Sequence, residues 1–388
     1  MSTIRLVLAG IVLVVWEMYA VDGIAVCCKY RGSNQNLYGG WGKIYRHAIK
    51  NNQVQNPNGT VIFSGEARFA TIERTGQRVA FIQKSGRIAM VSVNGEQVMK
   101  EDLVKIPTGT GYLDWPEGDW LYYSHGGYSD DGSKIMKKIN VATLQVKDVV
   151  TFEDRQWLWS IAADAEHAAI RPADNETCSG MGHVYRYLLP GGGKLSCNSV
   201  DDMKPGATCG SAISPQGEWI MFFTGTSHNE IVFKSWDKSE SFTYNTGDFR
   251  NWGSDAGKGF NRNRWSCNSE KWICTMQGWD GRSAGKGSNQ VLYDWIDKEQ
   301  IVVTNNPQSS DKYQAEAGDF WIDNGATAAH PLRSAINSGS DAYLGDNRRR
   351  YDLRGRLLNH SEPLRGAGRI VLRDNELNRR TDVHIEID

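Results

Sequence analysis

The stretch Ile213-Ser-Pro-Gln-Gly-Glu-Trp-Ile-Met-Phe222 decides the fold, because in it a tight turn is followed at once by a strand. Pro and Gly are turn residues, and the run after Glu218 is rich in apolar and aromatic side chains, as strands are. The same pattern occurs at five places along the chain, centred on Gly76, Gly118, Glu166, Gly217 and Glu270. By subtraction, the successive spacings of these centres are 42, 48, 51 and 53 residues.

Each repeat contains four strand-like segments. An apolar run such as Ala67 to Ile72 precedes the turn, and a second pair of runs follows, as at Ile231 to Trp236 before Asp237-Lys238. Four-stranded units that recur about every 40 to 50 residues are typical of a β-propeller. A β-sandwich is the alternative, but it does not explain why paired hairpins recur with this period.

A propeller must close, because the first and last blades otherwise leave one face each uncovered. Residues 317–323 form a lone strand after the fifth unit and can complete a sixth blade with strands from residues 26 to 65. We therefore expect an all-β fold, a β-propeller of six four-stranded blades. The predicted organisation is a signal peptide at 1–25, the propeller at 26–332 and a short β-rich tail at 333–388.

The N-terminus has the pattern of an export signal. Arg5 precedes the apolar run Leu6 to Val15, and small residues follow at Gly23 and Ala25. This run is shorter than the roughly 20 apolar residues of a membrane helix. We expect cleavage after Ala25, with Ala20 as the alternative, and no transmembrane span afterwards. The protein is then extracellular or at the cell surface, or periplasmic.

Charge and cysteine content narrow the function classes. A formal net charge of −1 gives no field that would attract nucleic acid, so no nucleic-acid partner is expected. No phosphate-binding loop occurs in a strand–loop–helix context, and we predict neither a cofactor nor a metal.

Seven cysteines in an exported chain favour disulfides. The candidates flank two predicted hairpins: Cys178 with Cys197, and Cys267 with Cys274. The pairing of Cys27, Cys28 and Cys209 stays open.

The motif at residues 213–222 resembles the repeat of the TolB-like β-propeller family, in which Ser-Pro-Asp-Gly precedes an apolar strand; here Gln216 replaces the Asp. The resemblance covers roughly residues 67 to 323 and implies the fold rather than a chemistry. The stretches Tyr351 to Leu358 and Gly366 to Arg373 are similar to the C-terminal tails of bacterial surface proteins exported by type IX-like sorting. That second resemblance implies a sorting role for the tail.

Propeller topology also predicts where a ligand binds. The connections from strand two to three, and from strand four to the next blade, are long and open on one face, whereas the other turns are short. Long connections without their own secondary structure are usually functional. These connections combine aromatic rings with hydrogen-bonding groups, as sugar recognition requires. The candidate ligand-binding residues are His125, Tyr128, Asp130, Asp131, His228, Arg250, Trp252, Trp279, Asp280 and Arg282.

The sequence therefore predicts a binding module whose partner is a carbohydrate or an extracellular protein. The alternative is a carbohydrate-active enzyme, a polysaccharide lyase or a glycoside hydrolase. A hydrolase needs two positioned carboxylates, and no spacing among the loop aspartates singles out a pair. A lyase of the propeller type needs a metal held by several histidines, and His125, His183 and His228 lie on or beside the predicted ligand face. Catalytic residues cannot be assigned, and binding is favoured over catalysis.

Overall fold

The computed structural model describes most of the chain up to residue 323 and four short strands beyond it. The described residues are 21–31, 41–95, 98–106, 112–124, 133–172, 184–189, 193–198, 211–224, 230–237, 239–245, 260–277, 289–304, 313–323, 350–351, 357–358, 369–375 and 380–386. The chain separates into two compact units, Met1–Asn324 and Gly325–Asp388. All regular secondary structure in the described residues is β-strand.

The described residues of the first unit form 23 strands. The first seven are β1 Asp22–Arg31, β2 Gly42–Lys50, β3 Gln53–Val54, β4 Thr60–Ile72, β5 Arg78–Gln83, β6 Arg87–Ser92 and β7 Val98–Lys105. The next seven are β8 Leu113–Glu117, β9 Trp120–Ser124, β10 Ser133–Asn140, β11 Val146–Ile161, β12 His167–Pro172, β13 Val184–Leu188 and β14 Gly193–Asn198. The last nine are β15 Ala212–Ile213, β16 Trp219–Thr224, β17 Glu230–Ser235, β18 Ser241–Asn245, β19 Phe260–Trp265, β20 Trp272–Gln277, β21 Asn289–Asp294, β22 Glu299–Val302 and β23 Tyr313–Asp323.

The pairings divide these strands into six groups of four. Two long strands, β4 and β11, each leave one group and enter the next. Blade 1 is the second half of β4 with β5, β6 and β7, and blade 2 is β8, β9, β10 and the first half of β11. Blade 3 is the second half of β11 with β12, β13 and β14, blade 4 is β15 to β18, and blade 5 is β19 to β22. Blade 6 is β23, β1, β2 and the first half of β4, and β3 pairs with β2.

The innermost strands of the six blades form a closed ring. In order around it, β4 contacts β8, β8 contacts β11, β11 contacts β15, β15 contacts β19, β19 contacts β23, and β23 contacts β4. A sandwich or an open sheet would not return to its first strand in this way. The chain is a β-propeller, as the sequence predicted.

Blade 6 closes this ring by pairing the two ends of the first unit. β23 lies antiparallel to β1, with Asp22 opposite Asp323 and Ala25 opposite Phe320. The sequence predicted this closure from residues 317–323 and 26–65. The observed strand begins four residues earlier, at Asp22, and Ala25 within it is fully buried.

Neighbouring blades pack apolar faces against each other, which is why their strands are apolar on both sides. Between blades 4 and 5 the contact is aromatic: the rings of Phe233 and Trp295 stack with centroids 4.5 Å apart and an interplanar angle of 10°. Trp219 and Trp265 also contact the Trp295 ring, at 5.4 and 6.0 Å. The tryptophans that follow the repeated turn therefore serve mainly as blade packing.

The five repeated turns all lie between the first and second strands of their blades. Gly76, Gly118 and Gly217 have positive φ angles of 73°, 40° and 70°, which glycine adopts without steric cost. Blade 3 lacks this glycine, and there Ala165 takes a φ of 56°. The Asp164 carboxylate supports the turn by accepting hydrogen bonds from two following backbone N–H groups, at 2.8 and 3.0 Å.

The residues described in the second unit form two short hairpins. β24 (Arg350–Tyr351) pairs with β25 (Leu357–Leu358), and β26 (Arg369–Asn375) pairs with β27 (Arg380–Glu386). The tail is thus β-rich, as expected. Its predicted sorting role remains a prediction.

Candidate functional site

The axis of the propeller holds a buried polar cluster centred on Arg264 of β19. The Arg264 guanidinium forms an ion pair with Asp114 of β8 at 3.2 Å, and it donates to the Leu113 carbonyl at 2.6 Å. It also donates to the Tyr112 hydroxyl, and its Cζ lies 4.4 Å from the centre of the Tyr112 ring. Arg264 is 8% exposed, so this charge is almost fully removed from water and depends on these partners.

Both carboxylate oxygens of Asp114 accept hydrogen bonds from within the protein. Its Oδ2 accepts from the Tyr112 hydroxyl at 3.0 Å and from the Ile161 backbone N–H at 2.8 Å, in addition to Arg264. Its Oδ1 accepts from the Trp115 backbone N–H at 3.0 Å. The Ile161 contact joins blades 2 and 3, so one side chain ties three blades together.

Asp319 of β23 takes the same place in blade 6. It accepts hydrogen bonds from the Thr71 hydroxyl at 2.8 Å and from the backbone N–H groups of Ile72 and Phe320, at 3.1 and 2.8 Å. Burial raises the pKa of Asp319 to about 6; Arg264 and the hydrogen bond from Thr71 lower this pKa, and the nearby Asp114 raises it. Asp319 thus links blades 6 and 1 across the closure.

A small pocket lies beside this cluster, where the innermost strands end. Asp114, Ser160, Arg264, Cys267 and Asp319 are among the residues that line it. The space in it that a water molecule can occupy is about 10 Å³, about what one ordered water needs. With their oxygens occupied by internal donors, Asp114 and Asp319 are suited to hold the blades together rather than to act as a general acid and base. Within the described residues, this axial cluster serves to hold the blades together.

The predicted ligand-binding residues lie in four segments outside the described residues, but the strands that flank those segments are placed. Residues 125–132 join β9 to β10, residues 225–229 join β16 to β17, and residues 278–288 join β20 to β21. Each of these joins the second and third strands of a blade. Residues 246–259 join the fourth strand of blade 4 to the first strand of blade 5. Because antiparallel strands alternate in direction, all four segments leave the propeller from the same face, which we call the long-connection face. The opposite face, formed by the turns between first and second strands, we call the short-turn face.

A partly exposed tryptophan at the long-connection face is described, and sequence reasoning did not single it out. Trp41 lies immediately before β2, at the end of the connection between the second and third strands of blade 6. The Arg68 guanidinium carbon lies 4.1 Å from the centre of the Trp41 ring, a cation–π geometry. Arg68 is 2% exposed, and the next residue, Phe69, has a positive φ of 54° at a break in the β4–β5 register. This irregular stretch of β4 brings a buried cation against a partly exposed indole.

The predicted disulfide between Cys267 and Cys274 is wrong. Both are free thiols, as are Cys27 and Cys28. In the β19–β20 register Cys274 lies opposite Arg264, whereas Cys267 follows three residues later in the turn, a separation of roughly 10 Å. A disulfide requires Cα atoms about 4.4 to 6.8 Å apart. Of the second predicted pair, Cys178 lies outside the described residues, and the backbone of Cys197 lies in β14 opposite Tyr185.

We expect these thiols to react only when the protein unfolds. Burial raises the pKa of Cys27 to about 12, and burial also raises the pKa of Cys274, so neither is a thiolate at neutral pH. Iodoacetamide without reductant should leave both unmodified in the native protein and should alkylate both in denaturant, as read by peptide mass spectrometry. A linked peptide containing Cys267 and Cys274 would contradict the assignment.

Two further features of the described residues concern function. Within the described parts of the chain, no three His, Cys, Asp or Glu side chains are placed so that they could hold a metal ion. The histidines considered for a metal site from the sequence, His125, His183 and His228, lie outside those parts. In the portion of the chain that the structure describes, no helix is long and apolar enough to cross a membrane.

Comparisons with known proteins add little beyond the fold. No protein-family profile matches the chain, and no curated protein matches it. Among solved structures, the crystal structure of TolB from Acinetobacter baumannii matches with 10% identity and a TM-score of 0.47. The match covers 76% of this chain and 66% of that one, just under two thirds of its length. At this distance the propeller assignment depends on the strand pairings and the closed ring, and the TolB-like family stays a prediction.

Proposed function

We propose that the protein is a secreted or cell-surface binding module that recognises a carbohydrate with its long-connection face. The observation that supports this most is the buried polar cluster at the axis. The centre of the propeller is occupied by Arg264, Asp114 and Asp319. A ligand is therefore expected to bind on one of the two faces. The long connections, which contain the predicted tryptophans, aspartates and arginines, all belong to one of those faces.

The chemistry of that face suits a sugar. An indole ring packs against the C–H groups of a sugar ring, while aspartate and arginine side chains form directional hydrogen bonds with its hydroxyls. Trp279 stands beside Asp280 and close to Arg282 in the chain, and Trp252 follows Arg250 in the same manner. At blade 6, Trp41 adds a partly exposed indole, held in place by the buried Arg68.

Export is part of the proposal and rests on the N-terminal pattern. The structure changes our choice of cleavage position within it. Cleavage after Ala25 would remove the part of β1 that pairs with Asp323, Ile322 and Trp321, whereas cleavage after Ala20 leaves the strand whole. We therefore propose Ala20, and N-terminal sequencing of the exported protein is the test.

The binding proposal predicts that Trp279→Ala and Trp252→Ala each weaken binding to a glycan identified on an array by about five- to tenfold, the loss of about 1 kcal/mol of stacking. Trp120→Ala is the matched control. Trp120 begins β9 on the short-turn face, where Lys138 and Lys147 lie 4.8 and 5.0 Å from its ring. Titration calorimetry measures the affinities, and circular dichroism checks that each variant is folded.

Three outcomes contradict parts of this account. If Trp120→Ala and Trp279→Ala lose equal affinity for the glycan, the assignment of the binding site to the long-connection face is wrong. If Trp279→Ala and Trp252→Ala both bind the glycan as tightly as the wild type, the sugar does not stack on these two rings. An array without hits, combined with a pull-down that recovers an extracellular protein sensitive to Trp279→Ala, would replace the carbohydrate with a protein ligand on the same face.

A further inference from the structure

Hydrogen bonds join each blade of the ring to the next, and most of them involve a first turn on the short-turn face. Trp321 of blade 6 donates to the Arg74 carbonyl of blade 1 at 2.9 Å, and Arg78 of blade 1 donates to Asp119 of blade 2 at 2.9 Å. Further links complete the circuit from blade 2 to blade 6. They are Ile161 N–H to Asp114, Asp164 N–H to the Pro215 carbonyl, Gln216 N–H to Glu270, and Asn268 to the Ile322 carbonyl.

The link between blades 4 and 5 depends on a carboxyl group in an unusual environment. Glu270 Oε1 accepts the Gln216 N–H at 2.8 Å, and Glu270 Oε2 is buried with no partner in good hydrogen-bond geometry, although the Ser214 hydroxyl lies near the carboxyl. An ionised carboxylate with one oxygen in that state carries an uncompensated desolvation cost, whereas a protonated carboxyl does not carry a charge there. The geometry therefore favours a proton on Glu270.

The groups that face Glu270 reinforce this preference. Glu218 from the blade 4 turn and Asp164 from the blade 3 turn are both acidic, and the Ser214 hydroxyl is the neutral neighbour. The cations of the region are engaged elsewhere: Lys271 pairs with Asp297 at 2.7 Å, and Arg186 interacts with Asp164 and Glu218. His167 contacts Asp164 at 2.6 Å.

The direction of the pKa agrees with the geometry. Burial, as the largest cause, raises the pKa of Glu270 to about 7; the N–H of Gln216 and the Ser214 hydroxyl lower it, and Glu218 and Asp164 raise it. A folded-state pKa above the unfolded value of 4.5 means that the folded protein binds this proton more tightly. The stabilising contribution is then complete below about pH 4.5 and is lost as the pH rises to about 7.

We propose that the junction of blades 4 and 5 on the short-turn face is a proton-operated clasp, closed when Glu270 is protonated and weakened when Glu270 releases its proton to solvent. Release of the Glu270 proton would directly affect the aromatic packing between these blades. Trp265 and Trp295 both donate from their indole N–H groups to the Glu270 backbone carbonyl, at 2.9 and 2.8 Å.

The test compares the wild type with Glu270→Gln, in which a neutral amide keeps the acceptor for Gln216 at every pH. Glu166→Gln is the matched control, an exposed carboxylate in the blade 3 turn of the same face. Between about pH 5 and about pH 8, the melting temperatures of the wild type and Glu166→Gln should fall by the same amount. The melting temperature of Glu270→Gln should fall by about 2 to 4 °C less. The remaining fall, which includes Asp319 and Asp294 with pKa values of about 6, is common to all three.

Two direct readouts on the wild type complete the experiment. With glutamate labelled at the side-chain carboxyl carbon, the resonance missing from Glu270→Gln should titrate with a midpoint of about 7. Amide exchange of the peptide containing Gln216, corrected for intrinsic rates, should accelerate between about pH 5 and about pH 8 in the wild type but not in Glu270→Gln. Titration near 4.5, or identical pH profiles for the wild type and Glu270→Gln, would overturn the proposal.

Discussion

Replacing Arg264 with methionine is expected to lower the free energy of unfolding by about 3–5 kcal/mol, the range for removing one partner of a buried ion pair. The substitution leaves the buried carboxylates Asp114 and Asp319 without their nearby cation. It also leaves the Leu113 carbonyl without its donor at 2.6 Å. Because Asp114 also joins blades 2 and 3, the loss is expected to affect cooperativity across the ring rather than one blade.

Urea denaturation followed by tryptophan fluorescence measures this effect, as a shift of the transition to lower urea. Arg87→Met is the matched control, since Arg87 is an exposed arginine on β6, and such surface changes usually stay within about 0.5 kcal/mol. If Arg264→Met unfolds at the same urea concentration as Arg87→Met, the axial cluster does not hold the blades together.

Gly318→Ala is expected to be the most damaging substitution of a single methyl group in the propeller. A Cβ at Gly318 would lie 1.8 Å from the Val26 carbonyl oxygen and 2.9 Å from the Cys27 Cα, both in the backbone of β1. Since backbone cannot turn aside as a flexible side chain can, β23 and β1 would have to separate at the point where blade 6 closes. We expect a loss of about 3 kcal/mol or more.

Gly118→Ala is the control that separates this collision from the ordinary cost of replacing glycine. Gly118 has a positive φ of 40°, but a Cβ there meets nothing within 4 Å. Its replacement should cost about 1 kcal/mol, the cost of a left-handed alanine. Equal melting temperatures for Gly318→Ala and Gly118→Ala would contradict the close approach of β23 to β1.

The fold was largely predictable because its signals are local. Each repeated turn and the strand after it lie within about ten residues, so the pattern at residues 213–222 predicts its own hairpin. Blade 3 was harder, since Ala165 and the Asp164 carboxylate replace the usual glycine. The closure of blade 6 could be inferred only from the need to cover both open faces.

The axial cluster and the cysteine states could not be predicted in this way. Arg264 and Tyr112 are 152 residues apart in the chain, and nothing in either local sequence indicates that the ring brings them together. The error over Cys267 and Cys274 has a similar origin. Two cysteines that flank a hairpin suggest pairing, but strand register decides it, and Cys274 lies opposite Arg264 instead. The Trp41–Arg68 contact likewise depends on an irregularity within β4.

The central claim is that the first unit closes into a ring through β1 and β23, and a disulfide across that closure tests it most directly. Asp22 and Asp323 lie opposite each other in the register, so Asp22→Cys with Asp323→Cys should form a disulfide that peptide mapping identifies among the native cysteines. This bond would close a loop of about 300 residues and should raise the melting temperature. Asp22→Cys combined with Asp119→Cys, which lies in the turn of blade 2, should not cross-link. Absence of the 22–323 link under oxidising conditions, with the 22–119 pair cross-linking equally well or better, would contradict the closed propeller.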